Sequence, residues 1–189
     1  MMKKVTSALL LTLALVGPAS ALTLEGVDVP EQMKADSSDL VLNGAGVRSK
    51  WFLDLYVGSL FVPQKQSNPK AIIDADQPQA IRLDIISGMI TSDRMTEATM
   101  EGFEASTHGD MAPVKQEIDQ FMGVFKEEIK EGDVFDLVYV PNEGVQVFKN
   151  GTKKDTIPGL EFKKALFGIW LSDEPAQEDL KEAMLGKAD

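Results

Sequence analysis

The sequence predicts an α+β domain in which helices cover one face of an antiparallel sheet. Three observations carry that prediction: two-residue alternation between Asp39 and Pro63 and between Val134 and Phe148, an apolar stripe at steps of three and four from Val114 to Ile129, and a helical closing third from Leu160.

The first segment stands outside that domain. Lys3 and Lys4 lie beside the amino terminus, Ala8 to Val16 form an apolar run too short to cross a bilayer, and Gly17 and Pro18 precede small residues at Ala19 and Ala21. The pattern reads as a secretory signal peptide over residues 1–21, cleaved after Ala21. It leaves residues 22–189 as a single domain in the periplasm or outside the cell, with no integral membrane segment. Removing Lys3 and Lys4 from the 19 basic side chains leaves 17 against 30 acidic ones, a formal charge of -13. Such a chain repels nucleic acid and anionic lipid, so neither is an expected partner. About 168 residues are enough to bury an ordinary apolar core.

Within the domain, LTLEGVDVPEQM is a short alternating start and MKADSSDL is turn-like. Residues 39–63 read as strands ended by Pro63, with Trp51, Leu53, Leu55 and Val57 on one parity. Residues 64–70 form a loop, and residues 80–86 a further strand. A helix over 92–106 starts with Ser92 as its N-cap and Asp93 in the first turn, where a carboxylate meets unsatisfied amides. A second helix spans 113–130, carrying Val114, Ile118, Phe121, Met122, Phe125 and Ile129 on one stripe. Gly132 ends it. Strands at 134–140 and 145–149 follow around a PNEG turn, and NGT marks another reversal. LEFKKALFGIWL and EPAQEDLKEAMLG close the chain as helices, the first with Phe162, Leu166 and Trp170 at four-residue spacing.

The residue inventory narrows the chemistry. The chain has no cysteine and one histidine, His108 in a polar turn, which excludes disulfides, thiolate chemistry, a zinc site and a histidine-dependent triad. The run NGAGVRSK, Asn43 to Lys50, lacks the third glycine of a dinucleotide fingerprint and the Lys-Ser/Thr ending of a phosphate loop, so no cofactor is expected. Gly44 and Gly46 permit close approach by a ligand or a neighbouring segment. Arg48 opens an aromatic and aliphatic stretch: pointing inward it is a fixed donor for a carboxylate, phenolate or enolate, and pointing outward it is a surface charge. Tyr56 and Tyr139, the only phenols, lie in strands and serve either as donors to a ligand or as core rings with a hydroxyl at the rim. Neighbouring carboxylates such as Glu127 and Glu128 face different ways on a helix and make no glycosidase pair. The Phe and Met stripes either fill a core or line a cavity for an acyl chain or a flat aromatic ligand.

Three segments, LNGAGVRSKWFLDLYVGSLFV, GDVFDLVYVPNEGVQVFKNG and GLEFKKALFGIWLSDEPAQEDLKEAMLG, resemble the exported bacterial branch of the chalcone isomerase-like family. The resemblance covers roughly Leu40 to Gly186 and implies an open-faced β-sandwich, a large antiparallel sheet with helices packed on one face and a ligand cleft between them. It also implies one of two activities. Isomerases of the family close a chalcone to a flavanone, with an arginine on the developing enolate; plastid members bind fatty acids, with the arginine on the carboxylate. The family arginine matches Arg48, while the isomerase threonine falls at Tyr56, its tyrosine at Thr91 and its helical asparagine at Ala98. Only the arginine is kept in kind. An arginine alone binds an anion without orienting a nucleophile and an enone. The expected function is therefore binding of a small apolar ligand with an acidic or enolic head near Arg48, through Arg48, Tyr56, Thr91 and Ala98, without turnover of chalcones. The alternatives are an isomerase or lyase of chalcone isomerase type in which Arg48 and Tyr56 are catalytic on an enone or related substrate, and a structural or interaction protein with a filled interior and no small-molecule ligand.

Overall fold

The computed structural model describes residues 22–187, so the signal-peptide expectation lies outside the described residues. A small hairpin, β1 (Leu22–Leu24) and β2 (Val27–Val29), leads into a seven-stranded antiparallel sheet. Its strands are β3 (Gln32–Ala35), β4 (Ser38–Lys50), β5 (Leu53–Val62), β6 (Gln79–Ile85), β7 (Val134–Val140), β8 (Gly144–Lys149) and β9 (Thr152–Ile157). They neighbour one another in chain order, so each strand pairs with the next one along the chain. Helices α1 (Pro69–Asp74), α2 (Ser92–Ser106), α3 (Lys115–Met122), α4 (Leu160–Leu171) and α5 (Glu178–Met184) complete the fold. This is the open-faced sandwich that the sequence resemblance implies.

Strand alternation decides which side chains the helices meet. Tyr56, Leu60 and Val62 of β5 join Ile81, Leu83 and Ile85 of β6 and Phe135, Leu137 and Tyr139 of β7 in the main core. The opposite parity builds a smaller cluster from Leu40, Phe61, Ala80, Val138 and Val140. Beyond that cluster the outer face turns polar, where Arg82 lies 3.2 Å from Asp84 and 3.6 Å from Asp136. Within the main core, Phe121 packs edge-on to Phe103 and Phe125 at centroid distances of 6.1 and 5.3 Å, and Phe125 meets Phe135 at 5.7 Å.

Five local expectations change. Residues 39–63 do not run straight through Trp51: the chain reverses at Trp51 and Phe52, and β4 and β5 pair back on each other. A two-residue turn lacking glycine and asparagine leaves little local signal. The N-cap of α2 is Thr91, whose side chain accepts the Arg94 amide, while the Ser92 hydroxyl donates to the Phe125 carbonyl. The helix expected over 113–130 is α-helical only from Lys115 to Met122, with tighter 3₁₀ turns at Ala112–Val114 and Gly123–Lys126 and extended backbone at Glu127. Gly123 and β-branched Val124 weaken the α-helical ladder there, yet Phe125 and Ile129 still reach the core. Finally, α1 begins inside the segment read as a loop, and the reversal at Asn150 and Gly151, both at positive φ, delivers β9 as a seventh strand.

One end of the helix layer is closed by a charge. Lys163 of α4 is fully buried, and its ammonium donates to the carbonyls of Ile72, Ile73 and Ala75 at 2.7, 2.9 and 3.0 Å. Those oxygens lie at the C-terminal end of α1, where a cation complements the helix dipole. The Phe167 and Tyr139 rings face the same ammonium at 5.0 and 5.6 Å. Three acceptors match three N–H groups, but burial still pushes the Lys163 amine down to about 7. We expect Lys163→Met to lower the unfolding free energy by about 2 kcal/mol at pH 7, because the α1 carbonyls lose their donors. The folded lysine sheds its proton above pH 7 while the unfolded one holds it to about 10.5. Denaturant unfolding between pH 7 and 10 should therefore show wild type gaining stability relative to Lys163→Met. A difference that shrinks with rising pH would contradict the assignment.

Candidate functional site

The NGAG run of β4 forms a seat for α5. A Cβ placed on Gly44 would stand 2.1 Å from the Ala183 carbonyl oxygen, and one on Gly46 would stand 2.6 Å from the Ala183 Cβ. Glycine is required at both positions for helix and strand to touch. Asn43 locks the contact: its Nδ2 donates to the Met184 carbonyl at 2.8 Å, and its Oδ1 accepts the Gln66 amide at 2.8 Å. Of the two partners that the glycines allow, the neighbouring segment is the one that occupies them.

That docking reaches Arg48. Gln177, the residue before α5, offers its Oε1 to the Ser49 amide at 2.9 Å and to Arg48 Nη1 at 3.0 Å. Nη1 also donates to the Ser49 carbonyl at 2.6 Å. Both acceptors are neutral, so among the described residues the half-buried guanidinium has no anion. Both of these hydrogen bonds leave from Nη1, and the guanidinium also stands close enough to Tyr56 to act on its hydroxyl.

Arg48 pairs across the sheet with Tyr56. The buried Tyr56 hydroxyl accepts the Trp170 indole N–H at 2.9 Å, leaving its own hydrogen to donate elsewhere. Burial pushes this hydroxyl above its ordinary value, although the Trp170 bond and the nearby guanidinium pull it partly back. Tyr56 is therefore a neutral donor at ordinary pH and a poor base.

These groups stand on the wall of a cavity of about 530 Å³ between the sheet and the helices. Leu83, Phe135 and Leu137 supply the sheet side, Met95 and Ile169 the helix side, and Phe121 and Phe125 join them. The volume falls within the range of small-molecule sites, and the apolar walls also carry Lys50, Arg94, Thr99 and the carboxylates Glu97, Glu101 and Glu174. Of the residues singled out from the sequence, Arg48, Tyr56 and Ala98 line the cavity together. Ala98 contributes only a methyl group. Thr91 is absent from the walls: it is exposed and caps α2, so its hydroxyl is turned to the backbone. Tyr139 lies at the Lys163 end of the core, donating to Asp76 at 2.6 Å, with its hydroxyl raised by burial and by that carboxylate.

His108 is an exposed turn residue at φ 52. Among the described residues no cluster of metal-ligating side chains occurs, and no helix is long and apolar enough to cross a membrane. Sequence reading missed two contributors. Trp170 has a helical-core signal that does not reveal its bond to Tyr56, and Gln177 has no signal, because its role depends on where α5 docks.

A solved structure with a closely related fold is the crystal structure of an Arabidopsis thaliana fatty-acid binding protein, at a TM-score of 0.68 and 17% identity over 87% of this chain and 95% of that one. A search of curated proteins found no match. The family model described as chalcone isomerase-like matches residues 21–186, which include both the β4 seat and the cavity. On that match, together with the sheet order and the cleft between sheet and helices, the chain belongs to the chalcone isomerase-like family.

Proposed function

We propose that this chain is an exported member of its family that binds a small apolar molecule bearing an acidic or enolic head, and that it does not isomerise chalcones. The observation carrying the proposal is a guanidinium that, among the described residues, bonds only neutral acceptors at the wall of a largely apolar cavity. An unpaired charge in such a position is unfavourable, and a ligand carboxylate or enolate relieves it. Tyr56 adds a second donor, and the Phe and Leu walls take the ligand body. A fatty acid has that anatomy, and the plant protein of the same fold is a fatty-acid binding protein.

Turnover needs more than this site offers. Tyr56 is held neutral, Ala98 has no polar group and Thr91 stands away from the cavity. Orienting a phenolate against an enone takes a fixed set of polar groups, and of the matched isomerase positions only the arginine keeps its chemistry. Mixing the protein with a chalcone should bleach its long-wavelength absorbance no faster than buffer alone; excess turnover lost in Arg48→Ala would favour the isomerase or lyase reading, with Arg48 and Tyr56 catalytic.

The binding reading is tested by native mass spectrometry and lipid extraction of protein purified from its own compartment. Ligand should be retained by wild type and depleted in Arg48→Ala. For a half-buried arginine the charge-assisted contact contributes about 2 kcal/mol, or roughly thirtyfold in affinity. Equal occupancy in the two proteins would remove the anchor. The same spectra address export: the intact mass should lack residues 1–21, whereas a mass retaining them would contradict cleavage after Ala21.

A further inference from the structure

Among the described residues, five large apolar side chains are markedly exposed, and four of them are Trp51 (88%), Phe52 (99%), Leu53 (46%) and Met89 (43%). Trp51, Leu53 and Met89 line the cavity, and Phe52 stands between the first two at the tip of the β4–β5 turn. Folding does not account for this placement. Trp51 adopts φ 64, a left-handed conformation that favours glycine and strains a bulky side chain.

The surroundings select the occupant. Lys50 adjoins the tip and Arg94 Nη1 donates to the Met89 carbonyl at 3.0 Å, while Asp54 follows the turn and Glu97, Glu101 and Glu174 line the same cavity, so charges of both signs flank the apolar group. The four side chains present roughly 500–600 Å². That is less than the ~800 Å² per partner of a stable protein interface. A lipid surface has no such threshold: an indole sits at headgroup level, Phe and Leu enter the acyl boundary, and lysine and arginine reach the phosphates. The acidic body disfavours anionic lipid, leaving a zwitterionic surface.

We propose that the Lys50–Leu53 turn, with Met89, docks on a zwitterionic lipid bilayer and sets the cavity mouth against it. An apolar ligand then passes between lipid and cavity without crossing water. Docking stands on the tip alone, while the transfer step rests on the ligand-binding reading above.

Because Trp170 is buried and Trp51 exposed, intrinsic fluorescence reports the tip. Phosphatidylcholine vesicles without added ligand should shift the emission to the blue, and lipids brominated near the headgroup should quench it. Phe52→Ser, outside the cavity walls, should weaken vesicle partitioning by roughly tenfold. Trp51→Gly should also lose vesicle binding while raising the melting temperature, since glycine suits the left-handed turn. Absence of shift and quenching, or equal partitioning of Phe52→Ser and wild type, would overturn the docking. So would a blue shift that grows with protein concentration in the absence of vesicles, which would assign the tip to a second copy. In the transfer arm, a fluorescent fatty acid should move from vesicles to Phe52→Ser more slowly than to wild type, with unchanged affinity for the free fatty acid. Vesicle docking by a protein that binds no fatty acid would sustain the surface and remove the ligand reading.

Discussion

The contact between α5 and the two glycines of β4 is the constraint on which the site depends. Without side chains at Gly44 and Gly46, the helix reaches the strand backbone, and Asn43 fixes its end by hydrogen bonding. Only then does Gln177 arrive beside Arg48 and Ser49. The arginine is held by a neutral amide, which fixes its geometry without cancelling its charge. A carboxylate in place of Gln177 would have produced a closed ion pair, indifferent to an incoming anion.

The space between sheet and helices is treated differently at its two ends. Near Tyr139, α4 seats Lys163 against the α1 carbonyls, and two aromatic rings close over the ammonium. Six or seven residues further along α4, Ile169 and Trp170 border open volume instead. One helix therefore both seals the layer and lines the cavity. On the cavity side the same helix carries Trp170, whose indole N–H orients the Tyr56 hydroxyl.

At the open end, the β4–β5 turn joins the binding wall to the solvent. Arg48 and Trp51 are three residues apart, so the anion-seeking group and the exposed aromatic tip belong to one hairpin. A ligand head anchored at Arg48 would lie within the same structural unit that meets the outside surface. Access and recognition are thus coupled by chain connectivity.

The sequence by itself determined the fold class, because period-two and three-to-four apolar patterns survive in any tertiary context that has one buried face. It also singled out Arg48 and the glycines, whose residue types limit what they can do. The turn at Trp51, the change to 3₁₀ winding after Met122 and the short helix α1 were hidden, since their local signals are weak and packing decides them. The site was only partly legible for the same reason. Matching by motif brought Thr91 forward, yet its side chain is committed to capping α2; Gln177 and Trp170 became partners of Arg48 and Tyr56 across more than a hundred residues of chain. Whether glycines meet a ligand or a helix, and whether an arginine is paired or free, depends on which segments fold beside them. Local patterning carries no record of that choice, and the tertiary structure alone made it.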